Sequence, residues 1–250
     1  MMFVTGDMHR DIDISKLADI SNLTCKTSTV LIAGDFGGVW NQGFLDENGA
    51  FKIAPLDELF INSLARFPFK IIACLGNHEN YDVINRLPRT DAYGGKIIRL
   101  SDNVELLDRG YVYQIEGKKI LSIGGAMSMD RLCRKEHITF WQDEVIQKED
   151  INRARKELSK HDFKVDYVLT HTAPLSVLKE ILSSLDNTSS LRLKLEFAIE
   201  NDPSVLLLDE LLKEFTFKQW YFGHFHKDMQ FTNTKGHLFH CVYNDWKKLS

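Results

Sequence analysis

Cysteines are few in this chain, and their spacing excludes the protein classes that depend on them. The 250 residues include four cysteines, and no two are arranged as Cys-x-x-Cys. Disulfide frameworks and zinc knuckles use paired cysteines at short, regular spacings. We therefore expect reduced thiols at all four positions, which are Cys25, Cys74, Cys133 and Cys241.

Long apolar runs are missing as well. No stretch of about 18 consecutive apolar residues occurs, so the sequence predicts no membrane-spanning helix. The first apolar run, in "MMFVTGDMHR", is too short for the hydrophobic part of a signal peptide. We expect a cytoplasmic protein with no membrane partner.

The third absence is an excess of positive charge. The chain has 31 basic and 35 acidic residues and a formal net charge of −4. A protein that binds long nucleic acids presents a basic surface to the phosphate backbone. The charge therefore argues against an extended nucleic-acid surface and leaves open a small phosphoester, such as a nucleotide, as the partner. The sequence carries no signature of an oligomeric state.

Short apolar runs that stop at glycine or threonine are typical of buried strands. Five occur: "MFVTGDMH", "TVLIAGDFGG", "KIIACLGNHEN", "YVLTHTAP" and "WYFGHFH". Helical patterns lie between them at residues 12–23, 55–66, 147–160 and 203–215. In the second, we expect an apolar stripe of Leu56, Leu59, Phe60 and Leu64. This alternation predicts an α/β fold with a largely parallel sheet, in one domain over residues 1–250.

Two segments predict antiparallel hairpins and therefore a mixed sheet system. One spans residues 111–123 around "EGKK", and the other surrounds Thr234-Lys235-Gly236. We expect residues 126–146 and 172–202 to be less regular, and the second of these segments is a candidate lid.

Polar side chains follow each of the five predicted strands. They are Asp7 and His9, then Asp35, then Asn77 and His78, then His171, and finally His224 and His226. Sites in open α/β sheets form beyond the carboxyl ends of strands, so we expect these side chains to meet. Each carboxylate alone could be a turn residue, and Asn77-His78-Glu79 could instead begin a helix.

The donor types indicate a metal centre. Imidazole, carboxylate and amide ligands without thiolate suit manganese, iron, zinc, cobalt or nickel better than magnesium. Seven such ligands exceed the need of one ion and predict two divalent ions that share a carboxylate, with manganese as the first candidate. Two ions about 3.5–4 Å apart can clamp the attacking and leaving oxygens of a phosphoester, with a hydroxide between them as the nucleophile.

In chain order, "GDMH", "GDFGG", "GNHEN", "LTHTAP" and "GHFH" resemble the motifs of the calcineurin-like metallophosphoesterase superfamily across residues 5–226. The resemblance implies a four-layer α-β-β-α sandwich with two mixed β-sheets and a phosphodiesterase or phosphomonoesterase activity. It also implies the metal ligands: Asp7, His9 and His226 for one ion, Asn77, His171 and His224 for the other, and Asp35 as the bridge. His78 would be the catalytic residue that stabilises or protonates the leaving oxygen.

The chain departs from the protein serine/threonine phosphatases of that superfamily. It has "GDFGGVW" where they have G-D-x-x-D-R-G, so it lacks the aspartate that orients the catalytic histidine and the arginine that grips phosphate. Phosphoprotein phosphatase activity is therefore the weaker alternative, and the orienting partner of His78 stays open. The G-H-x-H ending is more similar to bacterial phosphodiesterases and nucleotidases. A second alternative is a non-catalytic metal- or nucleotide-binding module of the same fold.

Substrate contacts are less well defined by the sequence. Asn77 and His78 would face the substrate, and Trp40 could stack on a base or pack at the rim of the site. Tyr81 is a further aromatic candidate. Arg131 and Arg134 are candidate phosphate anchors, and Arg131 is the one we select.

Overall fold

The computed structural model describes residues 1–22, 28–186 and 188–250. Its strands are β1 (Met2–Thr5), β2 (Thr29–Ile32), β3 (Phe44–Leu45), β4 (Phe51–Lys52), β5 (Lys70–Ala73), β6 (Thr90–Ala92), β7 (Gly95–Arg99), β8 (Val104–Leu107), β9 (Tyr111–Ile115), β10 (Lys118–Ile123), β11 (Tyr167–Thr170), β12 (Gln219–Phe222), β13 (Met229–Thr232), β14 (Leu238–Cys241) and β15 (Trp246–Leu249). Its helices are α1 (Ser15–Ser21), α2 (Pro55–Ser63), α3 (Tyr81–Ile84), α4 (Lys148–Ser159), α5 (Leu175–Ser184), α6 (Ser190–Asn201) and α7 (Pro203–Leu211). Cys25 and the end of the helix predicted for residues 12–23 lie outside the described residues.

Two large sheets form the centre of the molecule. The first has the strand order β15-β1-β2-β5-β8-β7-β6, and the second has the order β13-β14-β12-β11-β10-β9. In each sheet the central strands run parallel, and antiparallel strands pair at the edges. Both predicted hairpins are present, as β9–β10 and β13–β14. The mixed α/β fold predicted from the sequence is confirmed.

The apolar residues form three clusters, each between two layers. Successive residues of a strand point to opposite faces of its sheet. On β1, Phe3 therefore packs in a cluster with helices α1 and α2, whereas Val4 packs in a cluster that also contains Leu169 of the second sheet. A third cluster joins the outer face of the second sheet to helices α4 to α7. This order of packed faces is the one expected of a four-layer α-β-β-α sandwich.

The predicted apolar stripe on α2 is half right: Phe60 and Leu64 are buried, as predicted, but Leu56 and Leu59 are 64% and 66% exposed. In their place the helix buries Asp57 and Ile61. The physical reason is Asp57, whose carboxylate accepts hydrogen bonds from the backbone N–H groups of Trp40 and Asn41 at 2.9 and 2.8 Å. These polar bonds turn the helix so that the aspartate faces inward.

The prediction of an irregular segment or lid at 172–202 is also wrong. This stretch contains α5 and α6, whose buried residues include Val177, Ile181 and Leu195, and these residues belong to the core of the second sheet. Residues 126–146, in contrast, are irregular as predicted, with two short 3-10 helices and one isolated β-bridge. Among the described residues, no helix combines the length and the apolar character required to cross a membrane.

Candidate metal centre

The predicted polar residues meet where the two sheets present the carboxyl ends of their parallel strands. In the first sheet, Thr5 is level with Ile32, and Ile32 is level with Ala73. The loops after these strands carry Asp7, Asp35 and Asn77, and the loops after β11 and β12 of the second sheet carry His171, His224 and His226. Strand register therefore brings together side chains that are more than two hundred residues apart in sequence.

Asp35 lies at the middle of this group. Its Oδ1 is 3.1 Å from Nε2 of His171, and its Oδ2 is 3.4 Å from Nε2 of His9. The same Oδ1 accepts a hydrogen bond from the backbone N–H of His78 at 2.9 Å. Two potential metal-binding groups share this carboxylate: His9, Asp35 and His78, and Asp7, Asp35 and His171.

The Nε2 atom of His171 faces the side-chain oxygens of Asn77 and Asp35. Its Nδ1 lies 2.9 Å from the Ala33 carbonyl, which can only accept, so Nδ1 carries a proton. Its Nε2 lies 2.9 Å from Oδ1 of Asn77 and 3.1 Å from Asp35. Burial lowers the pKa of His171, but the charge and hydrogen bond of Asp35, the charge of Asp7 and the Ala33 carbonyl together outweigh burial and raise this pKa to about 9. The site therefore favours positive charge at the point where these donors converge.

Two buried side-chain atoms that could bind a metal ion have no hydrogen-bond partner among the described residues. They are Nε2 of His224 and Oδ2 of Asp7. Burial holds the pKa of His224 well below its usual range, so its imidazole is neutral and keeps a lone pair. Burial also raises the pKa of Asp7 to about 6. An unsatisfied buried polar atom is costly, and a bound cation would satisfy both of these. The donor set therefore fits a metal centre.

His9 and His226 complete the group on the solvent side. Their ring centroids are 4.9 Å apart in an edge-to-face arrangement, and His226 also stacks on Tyr243 at 4.7 Å. Nδ1 of His9 lies 2.9 Å from Oδ2 of Asp13, which directs Nε2 of His9 towards Asp35. Such a carboxylate behind a histidine is a usual support for a metal ligand.

Four of the predicted ligands have an unusual backbone conformation. Positive φ is uncommon outside glycine and indicates strain that the surrounding structure maintains. His9, Asp35, His224 and His226 have φ values of 43°, 49°, 69° and 50°. Each of these residues lies in the turn that follows a strand, so the turn geometry aims its side chain at the centre.

Two glycines allow the side chains to approach so closely. A Cβ on Gly34 would lie 2.2 Å from Nδ1 of His171, and one on Gly76 would lie 2.1 Å from Oδ1 of Asp35. Any larger residue at either position would collide with a predicted ligand. The glycines of "GDFGG" and "GNHEN" that precede Asp35 and Asn77 thus have a packing role in addition to ending the strand.

A cavity of about 470 Å³ opens above the centre. Among its lining residues are the predicted residues His9, Asp35, Asn77, His78, His224 and His226. Asp7 and His171 are fully buried beneath it. A second cavity of about 260 Å³ adjoins the first at His9 and His78 and extends to Trp40. Burial lowers the pKa of His78.

The two aromatic candidates for substrate contact differ in their access to the cavity. Trp40 lies at the rim, where it stacks on His78 at 6.0 Å and packs edge-on against Trp141. Tyr81 is buried and donates a hydrogen bond to the Gly76 carbonyl at 2.6 Å, so it does not reach the cavity.

The selection of Arg131 as the phosphate anchor is not supported by its placement. Its guanidinium lies over the Phe140 ring at 4.7 Å and donates a hydrogen bond to Gln142, which directs it away from the cavity. Arg134 lines the cavity instead, and its Nη2 lies 3.2 Å from Nε2 of His78.

A buried relay behind Asn77 was not predicted from the sequence. Nδ2 of Asn77 donates to Oγ of Ser128 at 3.1 Å, and this hydroxyl donates to Oε2 of Glu144 at 2.9 Å. The backbone N–H of Ser128 also donates to Oε1 of Glu144, at 2.8 Å. The relay holds the Asn77 amide with its oxygen towards His171. Nothing in the local sequence links Glu144 or Ser128 to Asn77, so no sequence signal could have found the relay.

The fold and this site define a two-sheet protein with a candidate metal centre at the joined ends of its parallel strands. The chain belongs to the calcineurin-like phosphoesterase family, whose model matches residues 2–228. The family resemblance noted in the sequence is therefore confirmed.

Solved structures of two proteins are similar to this chain. One is a 5'-nucleotidase precursor from Thermus thermophilus, at 17% identity and a TM-score of 0.42 over 97% of this chain and 48% of that one. This chain thus spans about half the length of that protein. The other is a phosphopantetheinyl hydrolase from Mycobacterium tuberculosis, at 14% identity and a TM-score of 0.38 over 97% of this chain and 89% of that one. No curated protein matches the chain.

Proposed function

We propose that this chain is a dinuclear phosphoesterase in which Asp35 is shared by two divalent ions. One observation carries the proposal. Imidazole nitrogens of His9 and His171 lie 3.4 and 3.1 Å from different oxygens of the Asp35 carboxylate. A carboxylate with ligands on both sides can serve two ions at once, as two-metal phosphoester hydrolysis requires.

The remaining donors divide between the two ions. Asp7, His9 and His226 would hold one ion, and Asn77, His171 and His224 would hold the other. This mixture of imidazole, carboxylate and amide favours manganese, with iron, zinc, cobalt or nickel as alternatives. Bound here, the ions would polarise water for attack on phosphorus and neutralise charge on the phosphoryl oxygens.

The chain's own residues orient these donors. Asp13 holds the ring of His9, and the relay through Ser128 holds the amide of Asn77. The Ala33 carbonyl fixes the tautomer of His171, so that Nε2 faces the centre. A site whose supporting groups are fixed before substrate arrives needs little reorganisation during the reaction.

His78 is the residue we assign to the leaving oxygen. It lines the cavity, its Nε2 is 4.0 Å from Oδ2 of Asp35, and its backbone N–H holds that carboxylate. An imidazole there can stabilise or protonate the oxygen that departs from phosphorus. The substrate would be a small phosphoester such as a nucleotide, with Trp40 beside its non-phosphate part.

The test is hydrolysis by the manganese-loaded protein. Bis-p-nitrophenyl phosphate and p-nitrophenyl phosphate report on diester and monoester cleavage, and metal analysis should give about two ions per chain. We expect His78→Ala to lower kcat about 10²- to 10⁴-fold, the usual contribution of a general acid.

His137→Ala is the matched control, because His137 is exposed and pairs with Asp82 outside the metal cavity. We expect this variant to keep wild-type turnover. Absence of turnover of both esters, with zero or one ion per chain, would instead favour the non-catalytic binding module.

A further inference from the structure

Arg134 is held at the cavity by the loop between β10 and α4. Its Nε pairs with Oδ1 of Asp130 at 2.6 Å, and its Nη1 donates to the Thr139 carbonyl at 2.9 Å. Its side chain is only 15% exposed, although it lies in a polar surface loop. An arginine tied at two of its nitrogens presents the third in a defined direction.

That third nitrogen faces His78. Nη2 of Arg134 lies 3.2 Å from Nε2 of His78. A guanidinium has only donors, so the unprotonated imidazole nitrogen accepts, and it is the same nitrogen that would donate to a substrate oxygen once it carries a proton. The guanidinium therefore occupies the position that a phosphoryl group would take beside His78.

The charges lining the cavity single out this side chain. Within the described chain, Arg134 is the one permanently cationic side chain among the lining residues, which also include Asp13 and Asp130. A phosphoester is anionic, and guanidinium groups bind its oxygens with paired, directed N–H bonds. Asp130 offsets part of this charge, but it also fixes the side chain that carries it.

The base of the loop is tied to the predicted metal ligands. Ser128 and Glu144 stand at either end of the segment that carries Arg134, and both belong to the buried relay behind Asn77. The position of the guanidinium is thereby fixed relative to the metal centre.

We propose that Arg134 binds a non-bridging phosphoryl oxygen of the substrate. When substrate enters, the Nη2–H group of Arg134 exchanges its hydrogen bond to His78 for one to that oxygen, and no proton is transferred. This inference rests on the proposed function. It supplies from a different loop the phosphate-binding arginine that "GDFGGVW" lacks. It also assigns Asp130 a positioning role, because its carboxylate pairs with the guanidinium of Arg134.

The experiment is a calorimetric titration of the manganese-loaded protein with inorganic phosphate, alongside turnover of both nitrophenyl esters. Loss of a charge-assisted hydrogen bond should weaken phosphate binding about 10- to 100-fold in Arg134→Ala. Arg134→Lys should fall between, because lysine keeps the charge without the fork. Arg131→Ala is the matched control from the same loop and should bind phosphate as the wild type does.

Several results would overturn the inference. They are equal phosphate affinity in Arg134→Ala and wild type, an equal loss in Arg131→Ala, or no phosphate binding by the wild type at all. Metal content and circular dichroism of each variant identify a folding failure, in which case Arg134→Lys and Arg134→Gln decide the question. If the wild type binds phosphate through Arg134 but hydrolyses neither ester, the proposed function fails and this site stands.

Discussion

Replacing Ser128 by alanine tests whether the buried relay positions a metal ligand. The hydroxyl makes two bonds: it accepts from Nδ2 of Asn77 at 3.1 Å and donates to Oε2 of Glu144 at 2.9 Å. Removing it leaves a buried amide N–H and a buried carboxylate oxygen without these partners. Each unsatisfied buried group costs about 1–3 kcal/mol, so the free energy of unfolding should fall by about 2–6 kcal/mol.

The metal-free protein should survive that loss. Domains unfold with about 5–15 kcal/mol, so Ser128→Ala should remain folded at 25 °C but reach its urea midpoint earlier. The freed amide of Asn77 can then rotate. Loss of a group that orients a metal ligand lowers metal affinity or activity about 10- to 100-fold.

The assay therefore has two readouts, urea unfolding without metal and calorimetric titration with Mn²⁺. Ser183→Ala is the control, since that serine is exposed on α5 and donates to the Glu180 carbonyl of its own helix. Its free energy of unfolding should change by less than about 0.5 kcal/mol. If Ser128→Ala loses stability but binds Mn²⁺ as tightly as the wild type, the relay is structural and does not position the ligand.

Two further predictions concern the metal and the glycines. Mn²⁺ at about 1,000 times its Kd should raise the free energy of unfolding by about 4 kcal/mol and Tm by roughly 10 °C, and EDTA should reverse both changes. A shift of the same size in the Asp35→Asn variant would contradict the proposed metal site. Gly34→Ala should lower the free energy of unfolding by more than about 2 kcal/mol, because its Cβ would lie 2.2 Å from His171 at a φ of 88°. Gly49→Ala is the control, because Gly49 has a φ of 76° but open space around it, so this variant measures the cost of backbone strain alone. If urea unfolding shows the same loss of stability in both variants, the collision with His171 does not contribute.

Much of the fold could be predicted from the sequence, because its signals are local. Each parallel strand that carries a site residue is a short apolar run ended by glycine or threonine, and each of the five was predicted within a residue or two. The donors directly follow those runs. Strand ends of a parallel sheet lie at one edge, so local pattern alone was enough to gather Asp7, Asp35 and Asn77 at one place.

Errors arose where a distant contact decided the outcome. The inward face of α2 was set by hydrogen bonds that Asp57 accepts from Trp40 and Asn41 in the loop after β2, and the periodicity of the helix carries no sign of these bonds. Arg131 and Arg134 are three residues apart in one loop, and the sequence contains no feature that distinguishes them as phosphate anchors. The guanidinium of Arg131 lies over the Phe140 ring, and Arg134 donates to the Thr139 carbonyl, so only the packed loop distinguishes the two arginines.

The sequence by itself determined the inventory of the site: which donors are present, in what order, and which strands deliver them. Only the tertiary structure decided how they are aimed. The tautomer of His171, the amide orientation of Asn77 and the direction of Arg134 each depend on a hydrogen bond to a partner outside the local motif. Such bonds form only after two sheets and a long loop have packed, so no local pattern of residues encodes them.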